Sequence, residues 1–151
     1  MKLAEALVER ADANRRLQEL RSRILRNAVH QEGETPAEDP QELLREYGEV
    51  AASFERLVVR INVTNNQIRL GNGLPMVEAL ARRDVLKLRH SLLKALAEQA
   101  TPHGNRYSKS EIKLVGSVSV KEMQASAERI AREHRELDAL IQGANWNTEL
   151  V

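Results

Sequence analysis

The stretch DPQELLREYGEVAASFERLVVRINV, residues 39–63, decides the fold class. Its apolar residues recur alternately four and three positions apart, which places them on one face of an α-helix. Asp39 is a predicted N-cap, Pro40 takes the first helical position, and Glu42 stands where a capping-box partner belongs. A wide apolar stripe favours a helix packed in a bundle over an isolated two-stranded coil. The seam comprises Leu43, Tyr47, Val50, Phe54, Leu57 and Ile61.

Working outward, the same period predicts helices over about 2–30, 40–64, 75–100 and 119–142. Pro75 follows a Gly-Asn-Gly turn signal, and Ser119 with Glu122 forms a capping-box pair. The sequence therefore predicts a mainly α protein, a single domain of residues 1–151 built as a bundle of about four long, coiled-coil-like helices. The third helix carries Val77, Leu80, Ala81, Val85, Leu88, Leu92, Leu93 and Leu96, and the fourth Val120, Met123, Ala127, Ile130, His134, Leu137 and Ile141.

Two short segments change period from helical to alternating. They are residues 67–70 and 111–118, where apolar and polar residues take turns. A two-stranded hairpin alone is marginal in water, so the two segments are expected to pair. We expect a small antiparallel β-hairpin or sheet element at one end of the bundle.

The amino-acid composition limits the classes of function that the protein can have. The chain has 151 residues, 23 Lys and Arg against 22 Asp and Glu, and no Cys. The charge balance argues against a strongly cationic nucleic-acid binder, and the absence of Cys removes thiolate chemistry and Cys-ligated zinc. Acidic residues interrupt the first ten positions, and no window has the ~18 uncharged apolar residues of a membrane span. We expect a cytoplasmic protein without a membrane partner.

Motifs that would carry catalysis or hold a cofactor do not stand out. A ferritin-like metal site needs Glu three residues before His, and the four His have Asn27, Lys87, Ala100 and Ala131 there. There is no nucleophile elbow, and Gly71-Asn72-Gly73 matches no phosphate-binding fingerprint. The sequence thus predicts a non-enzyme with no catalytic residue, metal or cofactor.

Two groups of residues remain as candidate binding sites. Arg106, Lys109 and Lys113 form a short basic run that could contact a polyanion such as nucleic acid. His134 lies in a seam, either as a pH-sensitive group or as an imidazole bonded to a neighbouring Glu or backbone group. The candidate interface residues for self-assembly are Tyr47, Phe54, Leu57, Ile61, His134 and Trp146.

Several segments together resemble a known family. They are MKLAEAL at 1–7, QEGE at 31–34, PAED at 36–39, RIN at 60–62 with TN at 64–65, EALARRD at 78–84, RYS at 106–108 and SEIK at 110–113. They are similar to small uncharacterised bacterial proteins often labelled septicolysin and otherwise treated as a domain of unknown function. The label implies a pore-forming cytolysin, and the resemblance supplies no active site.

Our expectation from the sequence is a non-enzymatic helical protein that self-assembles as a homo-oligomer through its wide apolar stripes. The alternative is a nucleic-acid or polyanion-binding module that uses the loop from Arg106 to Lys113. Pore formation is disfavoured, because no long alternating segment could form a membrane hairpin.

Overall fold

The computed structural model describes residues 1–102 and 112–151. The chain forms four α-helices: α1 (Leu3–Arg26), α2 (Pro40–Gln67), α3 (Met76–Gln99) and α4 (Val120–Asn147). It divides into two compact units. Unit 1 comprises residues 1–68 and 143–151, and unit 2 comprises residues 69–142.

Unit 1 is built on an antiparallel hairpin of α1 and α2. Two ion pairs lie near the connection: Arg16 of α1 with Glu46 of α2, and Arg23 of α1 with Glu38 of the connecting segment, each with an N–O distance of 2.5 Å. Asp39 accepts a hydrogen bond from the main-chain N–H of Gln41 at 2.9 Å, so the predicted N-cap of α2 is confirmed.

The core of unit 1 joins both helices to the last residues of the chain. Leu3, Ala6, Ile61 and Leu150 form a buried cluster, with Leu7, Leu57 and Ile68 packed against it. Beside it, the N–H of Leu3 donates to the carbonyl of Thr148, and the N–H of Leu150 donates to the carbonyl of Met1, both at 2.9 Å. The two ends of the sequence are therefore held together by main-chain hydrogen bonds as well as apolar contact.

Unit 2 contains α3 and most of α4. Arg83 of α3 pairs with Asp138 of α4 at 3.2 Å, and His90 lines a groove together with Ala131. Later residues of α3 thus lie beside earlier residues of α4, so the two helices run antiparallel. The fourth-helix seam is confirmed, because its residues are buried or half-buried: Val120, Met123, Ala127, Ile130, His134, Leu137 and Ile141.

Three helix ends differ from those predicted. α1 ends at Arg26 rather than near residue 30, because the side chain of the buried Asn27 donates to the carbonyl of Arg23 at 2.9 Å and accepts from the N–H of Glu38 at 3.1 Å. α2 continues to Gln67 through residues of weak helix propensity, and α4 continues to Asn147. Side chains near both extensions donate to the carbonyl four residues earlier: Thr64, just before the extension of α2, to Arg60, and Asn147, within the extension of α4, to Gly143.

The predicted β element is wrong: the described residues contain isolated bridges but no strand or hairpin. Segment 67–70 does not pair with 112–118, and Glu111 lies outside the described residues. Gln67 ends α2, and Leu70 is buried at the start of a tight turn in which its N–H donates to the carbonyl of Leu74 at 2.8 Å. Gly73, with φ of 83°, allows the tight turn that leads into Pro75. Pro75 has no N–H group, so it cannot donate a hydrogen bond that would extend a β-ladder.

Candidate functional site

An exposed apolar face on α3 is the first candidate site. Leu88 and Leu92 are 70% and 67% exposed, and Val77, Val85 and Leu96 are also exposed. With Ala81, these residues are spaced four, four, three, four and four apart. At about 100° per residue, this spacing keeps all six within an arc of roughly 100°. We call these residues the α3 stripe.

The opposite side of α3 is buried. Met76, Ala79, Leu86 and Ala97 are at most 5% exposed, and their mean direction lies roughly 150° around the helix from that of the α3 stripe. α3 is therefore apolar on two faces, and only one of them is covered. An apolar surface of this extent on a protein surface is typical of an interaction site.

A further apolar segment begins beyond the end of α3. Leu114 and Val115 are exposed, and a side chain added at Gly116 would lie 2.5 Å from the carbonyl oxygen of Ala100. This close approach places the segment beside the residue that follows the last turn of α3.

The interface residues predicted from the sequence lie in different environments. Ile61 is 1% exposed and Leu57 packs on the same core, while Tyr47 and Phe54 are half-buried on α2. Trp146 is exposed near the end of α4. Five of the six predicted interface residues belong to unit 1, whereas His134 belongs to unit 2. Neither unit therefore carries all six on one surface. The sequence predicted the residues of the α3 stripe as part of a helix face, but it did not predict that they are exposed. Periodicity does not show which of two apolar faces is covered.

A basic groove of 260 Å³ in unit 2 is the second candidate site. Its lining residues come from both helices: Lys87 and His90 from α3, and Ala131, His134 and Arg135 from α4. The sequence singled out His134 as a seam residue and did not connect it with Lys87, His90 or Arg135. These residues come to lie beside it only when the two helices pack side by side.

The predicted anion-binding loop is described only in part. Lys113 is exposed, whereas Arg106 and Lys109 lie outside the described residues. Whether this loop binds an anion therefore stays a prediction.

Ion pairs in unit 1 displace several pKa values. A hydrogen bond from Arg23 lowers the pKa of Glu38, and those from Lys2 and the Met1 amino group lower that of Glu149. The pKa values of Arg16 and Arg23 are raised, chiefly by hydrogen bonds to Glu46 and Glu38 respectively. These pairs join α1 to α2, α1 to the segment that precedes α2, and the two ends of the sequence, so we assign them a structural role.

Within residues 1–102 and 112–151, no group of three or more His, Asp and Glu side chains could hold a metal ion. In the same part of the chain, none of the helices has both the length and the apolar character that crossing a bilayer requires.

Comparison with known proteins gives a family and a structural relative, both without a described function. The chain is 43% identical to a functionally unknown conserved protein from Corynebacterium diphtheriae, whose crystal structure it matches with a TM-score of 0.93, covering 100% of this chain and 99% of that one. No curated protein matches. The family match does not carry the septicolysin label that the resemblance suggested. Residues 10–150 match the model of DUF6847, a family of unknown function, and the chain belongs to that family.

Proposed function

We propose that this protein is a non-enzymatic helical protein that associates with a second copy of itself through the α3 stripe. The observation that supports the proposal is the exposure of six apolar residues in one continuous row on a helix whose opposite face is already buried. Association would remove this row from water, which is the main driving force for protein–protein contact.

The spacing of the stripe favours a second copy as its occupant. The series four, four, three, four, four reads the same in both directions, so a two-fold axis between Val85 and Leu88 would place each residue opposite another member of the stripe. In this antiparallel arrangement Ala81 meets Leu92, and Val77 meets Leu96. Pairing small with large side chains keeps the helix separation even along the contact.

The size of the stripe sets the expected strength of the contact. The row is about 29 Å long at 1.5 Å per residue and about 10 Å wide, or ~300 Å² per protomer. Stable interfaces bury about 800 Å² per partner. The stripe alone would therefore give a weak and reversible dimer, which neighbouring exposed residues such as Leu114 and Val115 would strengthen.

Sedimentation velocity over a concentration series up to the millimolar range tests the proposal. We expect the 17.1 kDa chain to shift toward twice its mass as concentration rises. The double variant Leu88→Glu/Leu92→Glu should remain a monomer throughout, because the contact would then bury four carboxylates opposite the apolar side chains of Val85 and Ala81.

Leu25→Glu is the matched control, since Leu25 is an exposed leucine of α1 outside the stripe. It should dimerise like the unmodified chain. A monomer at every concentration, or equal dimerisation of all three proteins, would overturn the proposal.

The alternative function, binding of nucleic acid or another polyanion, rests on Arg106, Lys109 and Lys113 in the sequence. A cytoplasmic location remains our expectation from the sequence.

A further inference from the structure

The two helical hairpins of the chain have matching helix lengths. α1 and α3 are both 24 residues long, and α2 and α4 are both 28. Leu3 at the start of α1 thus corresponds to Met76 at the start of α3, and Pro40 of α2 corresponds to Val120 of α4.

The same correspondence matches the buried positions. Leu3 and Met76 are both fully buried, as are Ala6 and Ala79. Each seam residue of α2 has a seam residue of α4 at the equivalent position: Leu43 with Met123, Tyr47 with Ala127, Val50 with Ile130, Phe54 with His134, Leu57 with Leu137 and Ile61 with Ile141. A helical bundle does not require helix lengths, seam register and burial to agree in this way.

The two hairpins also end in the same main-chain hydrogen bond. At the end of the first hairpin, the N–H of Leu70 donates to the carbonyl of Leu74 at 2.8 Å. At the end of the second, the N–H of Leu150 donates to the carbonyl of Met1 at 2.9 Å. The isolated bridges beside these bonds are Arg69 with Pro75 and Lys2 with Glu149. The joint after α2 and the joint after α4 are therefore built alike.

We infer that the chain is an internal duplication, in which α1–α2 and α3–α4 are two copies of one helical hairpin. One joint between the copies is closed by the turn Gly71-Asn72-Gly73, and the other is open between Val151 and Met1. Most equivalent positions carry different residue types, because a buried position constrains size and polarity more than identity.

The duplication assigns self-association to the second copy alone, and this assignment rests on the proposed function of the α3 stripe. The three central residues of the stripe correspond to charged and exposed residues of α1: Val85 to Asp12, Leu88 to Arg15 and Leu92 to Glu19. The first copy thus folds with charges on the face that is apolar in the second. Since the hairpin does not need an apolar face there, we attribute the stripe to contact with another molecule.

A circular permutant tests the duplication without reference to self-association. It begins at Leu74, ends at Gly71 and carries residues 72–73 between Val151 and Met1, so its composition is that of the unmodified chain. Its opening lies at the equivalent joint. We therefore expect an unchanged circular dichroism spectrum and a melting temperature within about 5 °C of that of the unmodified chain.

The matched control is a permutant opened between Gly33 and Glu34, inside the first hairpin, with an added Asn-Gly that closes the same ends. Its melting temperature should be lower, because α1 and α2 are no longer directly connected. A first permutant that is unfolded, or no more stable than this control, contradicts the duplication.

A transfer of the stripe tests the assignment to the second copy. Asp12→Val/Arg15→Leu/Glu19→Leu is made in the Leu88→Glu/Leu92→Glu variant, so that α1 carries the apolar face and α3 does not. Because the two faces are equivalent, sedimentation velocity up to the millimolar range should show that association returns.

The control for the transfer places the same three apolar residues on different sides of α1, as Glu9→Val/Gln18→Leu/Arg21→Leu in the same background. It should remain a monomer. If the unmodified chain dimerises but the transfer does not restore association, or the control associates equally, the assignment is rejected. If the unmodified chain itself stays a monomer, the proposed function fails, while the two permutants still decide the duplication.

Discussion

The hydroxyl of Thr64 accepts a hydrogen bond from the main-chain N–H of Val151 at 3.1 Å, and it donates to the carbonyl of Arg60 at 2.8 Å. Thr64 is only 1% exposed. Arg60 adds a hydrogen bond from its Nε to the carbonyl of Val151 at 2.9 Å. One turn of α2 therefore fixes the last residue of the chain, next to the apolar cluster that Leu150 completes.

Replacing Thr64 by Val should lower the free energy of unfolding by ~0.5–1.5 kcal/mol, because the N–H of Val151 would lose its side-chain acceptor. Urea denaturation measures the loss. Thr64→Ser retains the hydroxyl and serves as the control. Hydrogen exchange at the Val151 amide should be fast in Thr64→Val and slow in Thr64→Ser. Equal exchange in both would show that the hydroxyl does not hold this residue.

Two glycine substitutions should have opposite effects on stability. Gly116→Ala would place a Cβ 2.5 Å from the carbonyl oxygen of Ala100, so we expect a loss of ~1–3 kcal/mol. Gly48 lies inside α2 with no atom near an added Cβ, and Gly48→Ala should stabilise by ~0.5–1 kcal/mol. Thermal unfolding of both variants provides the measurement. A neutral Gly116→Ala would mean that residues near Gly116 relax freely away from α3.

Acid should weaken the contact between the two ends of the sequence. Lys2, and secondarily the Met1 amino group, hold the pKa of Glu149 below 4.5 in the folded protein. The resulting stabilisation is present above pH 4.5 and is lost as the pH falls through the lowered folded-state pKa. Glu149→Gln should therefore reduce the melting temperature near neutral pH, with a difference that shrinks in acid.

The control for this pH series is Glu55→Gln, at an exposed position of α2. Its melting temperature should follow that of the unmodified chain at every pH. A Glu149→Gln effect that is the same at neutral and acid pH would assign the loss to packing rather than to charge.

The polyanion prediction is tested by salt-dependent binding to single-stranded nucleic acid. If Arg106 and Lys109 contact phosphates, affinity should fall steeply with salt, and Arg106→Gln/Lys109→Gln should weaken binding and flatten the salt dependence by about two contacts. The control is Arg82→Gln/Arg89→Gln on α3. No binding at low salt, or the same salt dependence in both variants, would reject this function.

Much of the fold could be predicted from local patterns. The N-cap at Asp39 follows from the residue types that satisfy free N–H groups at the start of a helix. The seams of α2 and α4 follow from side-chain spacing. Both signals act over one or two helical turns. The predicted β element failed because alternation in a short segment carries no information about a partner strand. The turn at Gly73 reverses the chain within a few residues, and Pro75 has no N–H to donate, so the isolated bridge there does not extend into a β-ladder.

The site could be predicted less well, because its parts are distant in sequence. The basic groove joins Lys87 and His90 to His134 and Arg135 through helix packing alone. The end of α1 was likewise set by a tertiary contact, since Asn27 accepts from Glu38 eleven residues away.

By itself, the sequence determined that this protein is made of four long amphipathic helices without a local catalytic or cofactor motif, because periodicity and residue type are local properties. Only the tertiary structure decided which of the two apolar faces of α3 is covered, which cations share a groove, and that Thr64 fixes Val151. The physical reason is that burial depends on which neighbour a face meets, and that neighbour is chosen by contacts between distant parts of the chain.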